Sequence, residues 1–465
     1  MDLCGPVPNS GDSNTRVGFF LRALFERLSQ HNVVYCVLRN YKGLPHTVGN
    51  DVDLWVQKGH QQRFLEDMRC VATELGWEEV KRSLRPGYDG AGSYFFCSCV
   101  PEAESEVVHI DLWTSIYWKA VNFVNDGVIA KHRRYDDRGF FVASPGAEAS
   151  ILLLKDLLYH GRVREKYRER IVHLFQQDPV TFLAAMEGPF GTAEAQRIVS
   201  MVQNANWDKL QRQVAAIRWT LLRRGFLGHP LPQIRAWLVF IQFHLGKWLD
   251  QSGGFLLILI GPDGSGKSTI SQAVLDSSMG TKLFQGTRYF HGRFEYLPEL
   301  KRFRPGYRNG RASQELPENP STNGAYPAYR AVIYPLYYVM DYALGHWLVW
   351  KSKTLGQLIV FDRYFYDYFL QRQFLYCPRG LLQFLKRFIP QPDALIFLKG
   401  SPEVIHDRKP ELSVEEIRRQ TALCESLVGN TPYGFIVDTL HDDSGRTSCD
   451  VQRIIVNQMK NRLRL

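Results

Sequence analysis

The stretch ILIGPDGSGKSTI (residues 258–270) decides the fold of the region that carries it. An apolar run, FLLILI (255–260), has the look of a buried strand, and the residues after Lys267 look helical. Between them, Gly261-x-x-x-x-Gly266-Lys267-Ser268 satisfies the Walker A pattern. Glycines at 261, 264 and 266 let backbone N–H groups turn inward around a phosphate, where side chains would obstruct. Lys267 can reach the β and γ oxygens of ATP, and the Ser268 hydroxyl can serve Mg2+. Asp263, Ser265 and Thr269 complete the nucleotide-binding loop, and the helix that starts there adds its N-terminal dipole.

A second apolar strand, QLIVFDRYFYDY (357–368), delivers Asp362 at its carboxyl end, where open parallel sheets bind ligands. Asp362 is placed to hold Mg2+ or orient an acceptor, and Arg363 to neutralise phosphoryl charge. Further on, residues 392–420 read as a strand, a turn and a basic helical segment. Arg408 and Lys409 in it could close over a triphosphate or form a solvated cluster. Ser413 and Glu416 suggest a capping box.

The order GPDGSGKST, FHGR, FDRY, DRKPE resembles the thymidylate kinase group of nucleoside monophosphate kinases. More closely, it resembles the thymidylate-kinase-like proteins of bacterial surface-polysaccharide loci. The resemblance spans about 250–465 and implies a parallel sheet flanked by helices. It also implies phosphoryl transfer from ATP with Mg2+, with Lys267, Asp362, Arg363 and Arg408 as catalytic groups. Asp263 matches a loop carboxylate that contacts the acceptor, and Arg363 an arginine that grips the acceptor phosphate. The segment YFHGRFEYLP (289–298) departs from the thymidylate kinase pattern and offers His291 and Arg293 to a different acceptor, or as packed or exposed residues without that role.

The first portion carries a separate signal. In NDVDLWV (50–56), Asp51 and Asp53 stand two apart on a strand and so share a face. EVVHIDLWTSI (106–116) adds Asp111 on a strand that could lie alongside. Three carboxylates together repel unless cations neutralise them, which suits one or two Mg2+ ions and attack on an NTP α-phosphate. Residues 17–175 resemble the nucleotidyltransferase superfamily related to DNA polymerase β, in its uncharacterised branch. The Gly-Ser usual before the paired acids is replaced by LRNYKGLP (38–45), so Arg39 takes the phosphate or nucleotide binding is altered. The bland alternative is a nucleotidyltransferase-like domain kept for binding or structure.

Strands at 32–39, 50–56, 93–100 and 106–116 and a helix at 59–76 fit an α+β domain with a mixed sheet over residues 1–145. From Ser144-Pro145, an N-cap followed by proline, the pattern turns helical to about 225. Residues 146–250 then serve as helical extension and linker, with a boundary at RGFLGHPLP (224–232) and a short amphipathic helix at 234–249. Residues 251–465 form the α/β kinase domain, and its Pro/Gly/Asn/Arg-rich stretch 302–330 reads as a long loop. AVIYPLYYVMDYALGHWLVW (331–350) has nearly spanning length, but Asp341 and His346 inside it favour a buried aromatic helix over a membrane crossing.

With 465 residues, 45% hydrophobic and 22% charged, the chain reads as a soluble multi-domain protein. The net charge of +10 admits nucleic acid, an anionic membrane face or phosphorylated ligands, but the cations are interleaved with acids, against a nucleic-acid track. Eight cysteines form no framework and read as reduced thiols, and the N-terminus lacks a secretion-signal layout, so the chain is expected to be cytoplasmic. The composite expectation is a bifunctional enzyme. ATP would phosphorylate a small hydroxyl or phosphate acceptor, and a second NTP would donate NMP to a phosphorylated metabolite, by family analogy a surface-glycan precursor. A kinase with a degenerate first domain and an NTP-dependent nucleic-acid-binding regulator remain as alternatives, and a homodimer stays open.

Overall fold

The computed structural model describes residues 15–85, 90–98, 104–228, 230–300, 325–439 and 444–463. The chain divides into two compact units, one of Met1–Phe96 with Val108–Trp248 and the other of Cys97–Val107 with Leu249–Leu465. The stretch 302–330, expected to be a long loop, falls mostly outside the described residues.

The first unit is built on a mixed seven-stranded sheet. Its order is Trp77–Leu84, Gly92–Ser98, Val107–Trp113, Val52–Val56, Tyr35–Val37, Phe140–Val142, Arg134–Asp136. Val52–Val56 runs parallel to Val107–Trp113 and antiparallel to Tyr35–Val37. One core joins the helices Arg16–Gln30 and Gln61–Glu74 to the sheet through Phe20, Leu21, Tyr35, Phe64, Phe96 and Ile110. The other joins Trp55, Trp113 and Phe123 to the helix Pro145–His160 and the helices after it. Packing on both faces explains why all five residues of Val52–Val56 are buried despite their alternating polarity. Asp53 is therefore a buried carboxylate rather than one on a wet face.

Ser144 caps Pro145–His160 by accepting from the Ala147 N–H, and Gly161 ends it with φ 72°. The stretch 224–232, read from sequence as a boundary, lies at the adjoining ends of two long helices, Val214–Gly228 and Pro230–Leu249. Pro230 and Pro232 lie in the first turn of the second helix, where the N–H groups have no intrahelical partner to lose.

The second unit holds a five-stranded, wholly parallel sheet. Its order is Thr287–His291, Leu358–Asp362, Phe255–Ile260, Ala394–Lys399, Gly434–Asp438. Phe255–Ile260 is central and all six of its apolar residues are buried, as a strand covered by helices on both faces requires. The register sets His291 beside Asp362, and Asp362 beside Leu259. Several strands thus end at one edge, in front of the helix Lys267–Asp276.

The run 331–350 lies within the helix Ala328–Thr354. Tyr338, Tyr342 and Val349 are buried, whereas Ile333, Met340, Leu344 and Trp347 are exposed, so this aromatic helix is buried along one side rather than all round. Asp341 is fully buried and accepts from the backbone N–H of Glu295 at 3.0 Å and of Leu297 at 2.7 Å. Among the described residues no helix is long and apolar enough to cross a membrane.

Candidate functional sites

In the second unit the phosphate loop, the Asp362 strand end and the Pro402–Arg408 helix surround a cavity of about 590 Å³. Gly261, Gly264 and Gly266 all have positive φ. At Gly264 (φ 93°) a Cβ would also press on the Ile405 carbonyl and Lys409, so the loop needs glycine there for space as well as conformation. Lys267 is buried, and its ammonium donates to the carbonyls of Gly261 and Pro262, both at 2.9 Å.

The Ser268 hydroxyl donates to Asp362 Oδ2 at 2.5 Å, and the Tyr289 hydroxyl reaches the same oxygen at 3.2 Å. His291 Nδ1 lies 3.7 Å from it. Asp362 Oδ1 is buried with no hydrogen-bond partner among the described residues. An unsatisfied buried carboxylate oxygen next to a serine hydroxyl is a donor set that fits Mg2+.

Arg363 has φ 72° and pairs with Asp263. Burial pushes the Asp263 carboxyl up, but Lys267 and Arg363 outweigh it and hold the group below the usual carboxylate range. Arg408 and Lys409 line the same cavity. Arg293 lies elsewhere, donating to the Leu297 carbonyl at 2.8 Å and sitting over the Tyr338 ring. Of the two residues proposed from FHGR, then, His291 lines the cavity and Arg293 braces its own turn. Thr439, Ser444 and Thr447 also line the cavity. They follow the last strand, and no local motif marks them.

Asp367 adjoins this site in a small recess with Asp263, Arg363, Gln371 and Gln420. Burial pushes its carboxyl up to about 6 from an ordinary 3.8, against the pull of Arg363 and Lys267. Between about pH 4 and about 6 the folded protein therefore keeps a proton that the unfolded chain has lost, so the Asp367 contribution to stability falls as pH rises through that window. Asp263 acts oppositely, adding stability that is lost as pH drops below the usual carboxylate range. Asp367→Asn is expected to raise Tm at pH 7 relative to pH 4 more than the wild type does. Parallel Tm-against-pH curves for the two proteins would refute this.

In the first unit the parallel register pairs Asp53 with Asp111, and Asp51 precedes the strand. One carboxylate oxygen from each of the three lies within 4.8 Å of the others. The sequence-based cluster is thus assembled, but it comes with cations. Arg39 Nε donates to Asp53 Oδ2 at 2.5 Å, Lys155 Nζ is 3.8 Å from Asp53 Oδ1, and Arg85 is 3.1 Å from Asp111 Oδ2. Ser93 donates to Asp111 Oδ1 at 2.5 Å.

Burial and then the neighbouring Asp53 push the Asp51 carboxyl up. Burial also pushes Asp53 up, yet Lys155 and Arg39 hold it below its ordinary value. Lys155 is itself pushed down by burial. Three cations thus balance three carboxylates, and a divalent ion would compete with Arg39 for Asp53 and with Arg85 for Asp111. Lys155 was legible in principle as a lone lysine in the apolar run ILLLKDLL, whereas Arg85 and Ser93 carry no local signal.

No family model matches the chain, and no curated protein matches it. Among solved structures it is similar to the thymidylate kinase from Ehrlichia chaffeensis, at 13% identity over 43% of this chain and 98% of that one, with a TM-score of 0.31. It is also similar to the thymidylate kinase from Candida albicans, at 17% identity over 44% of this chain and 93% of that one, with a TM-score of 0.33.

Proposed function

We propose that the second unit is an ATP-dependent phosphotransferase that moves the γ-phosphate to a small hydroxyl or phosphate acceptor. The observation that carries this is the orphaned Asp362 oxygen beside Ser268, in the cavity that Lys267 and the glycine loop also line. Gly261–Thr269 would cradle the triphosphate, with Lys267 swinging from its carbonyls to the β and γ oxygens. Ser268 and Asp362 would hold Mg2+, which when bound neutralises charge on the phosphates. The acceptor oxygen attacks the γ-phosphorus as the β–γ bridging oxygen leaves with its electron pair. Asp263, His291 and Arg363 would orient the acceptor, and Arg408 would steady the transferring group.

A second reading concerns the first unit. The convergence of Asp51, Asp53 and Asp111 favours a metal-assisted nucleotidyltransferase site that would take a second NTP. The cations on Asp53 and Asp111 favour the rival reading, a fold retained without that chemistry. In the bifunctional form, residues 1–145 would transfer NMP, 146–250 would link, and 251–465 would phosphorylate, in the cytoplasm. Its product class would be an activated glycan precursor, as the motif resemblance suggests.

The test is incubation of the purified protein with Mg2+ and an extract of small metabolites, using α-labelled and γ-labelled NTPs in parallel. Transfer of γ label that vanishes in Lys267→Ala supports the phosphotransferase. Transfer of α label that vanishes in Asp53→Asn supports the second site. γ transfer alone leaves a kinase with a retained first domain, and no transfer from either position overturns both enzymatic readings.

A further inference from the structure

The helix Pro230–Leu249 has no buried residue. Leu231, Ile234, Leu238, Ile241, Leu245 and Trp248 recur at alternating three- and four-residue steps, which places them on one stripe about 100° wide. All six are exposed, from 48% at Ile234 to 78% at Leu231. Trp219, Phe226 and Leu227 on the preceding helix are exposed as well. An apolar surface of this extent on a folded unit marks a contact with something.

The charge around it says what. From Lys209 to Leu249 the chain contains seven lysines and arginines and no aspartate or glutamate, although elsewhere cations and acids are interspersed. Arg223, Arg224, Arg235 and Lys247 are exposed. None of these four forms an ion pair among the described residues. Arg224 and Arg235, with Lys58, also line a cleft of about 1170 Å³ at the junction of the two helices.

A second copy of the chain would match the apolar stripe but not the charge. Pairing two such helices sets Arg235 against flanks that offer Trp237, Gln242 and His244 and no acid. A surface of anionic lipid matches both. It takes up the apolar stripe, places tryptophan at the interface, and complements cations that have no acidic partner.

We infer that the helices Val214–Gly228 and Pro230–Leu249 form a peripheral docking surface for anionic membranes, with Pro230–Leu249 lying in the plane of the interface. This surface is independent of the phosphotransferase reading and needs no spanning segment.

The full-length protein is mixed with vesicles of phosphatidylcholine alone or of phosphatidylcholine with phosphatidylglycerol, and sedimented at low and high salt. The wild type is expected to partition onto the anionic vesicles in a salt-sensitive manner and far less onto the neutral ones. Each cation near the surface contributes about fivefold, so Arg223→Glu/Arg224→Glu/Arg235→Glu should lower the partition coefficient by at least about a hundredfold. Leu238→Glu/Leu245→Glu should lower it by at least about tenfold, with an unchanged circular dichroism spectrum. Equal partition onto both vesicle types, or none onto either, overturns the inference. So does a wild-type dimer that Leu238→Glu/Leu245→Glu converts to monomer while vesicle binding stays absent, since the stripe then belongs to a second copy.

Discussion

Lys267→Ala is expected to lower the rate of γ-phosphoryl transfer by at least about a hundredfold, the usual loss when one preorganised cation or donor is removed from a developing anionic charge. The fold should survive the change. Among the described residues the Lys267 ammonium meets two loop carbonyls and, at 3.7 Å, Asp263, which keeps its pairing with Arg363. The strand and helix on either side are secured by apolar packing from Phe255–Ile260 and Ile270. The measurement is single-turnover transfer from γ-labelled ATP at saturating acceptor, with circular dichroism as the check on folding. A variant that folds and retains wild-type turnover would remove the phosphate loop from the chemistry.

Arg39→Ala is expected to destabilise the first unit by about 3 kcal/mol, because removing one partner of a buried ion pair leaves the other charge uncompensated. Asp53 is almost inaccessible and, among the described residues, would keep Lys155, at 3.8 Å, as its ion-pair partner. The same substitution should create affinity for Mn2+, since three carboxylate oxygens within 4.8 Å would then carry one cation fewer. Millimolar Mn2+ should therefore restore much of the lost Tm in Arg39→Ala while changing the wild type little. Electron paramagnetic resonance would read the bound ion directly. Because Arg39 helps to hold the Asp53 carboxyl down, the variant should also unfold at a higher pH on acid titration. Loss of stability without Mn2+ rescue would identify Arg39 and Asp53 as a structural pair and sink the metal site. Strong Mn2+ binding to the wild type would show that the arginine yields, and would favour the nucleotidyltransferase reading.

What could be read in advance follows from how local each signal is. The phosphate loop is written in consecutive residues, so strand, turn glycines, lysine and helix were all legible in 255–276. Asp362 was legible because an apolar strand ends on it. The carboxylate pair Asp51/Asp53 followed from the two-residue repeat of a strand, and Asp111 from a second strand of the same kind. Tyr289 on Asp362 and Arg85 on Asp111 depend on which strands and turns become neighbours, which no spacing encodes. The Arg39–Asp53 contact also escaped, because it depends on how the chain turns after Val37, where Asn40 adopts φ 58°. The Pro230–Leu249 helix shows the limit in the other direction. Its periodicity announced an amphipathic helix, but only the structure shows that the apolar side is left uncovered in the described residues.

Arg363 holds a backbone conformation that residues with a side chain adopt rarely, at a penalty on the order of 1 kcal/mol. The backbone conformation by itself would favour glycine or asparagine at this position, whereas the ion pair with Asp263 favours arginine. On the proposed acceptor role, glycine at 363 would relieve the backbone but remove both the pairing with Asp263 and the grip on the acceptor, so relief of strain and loss of acceptor binding should appear in the same variant.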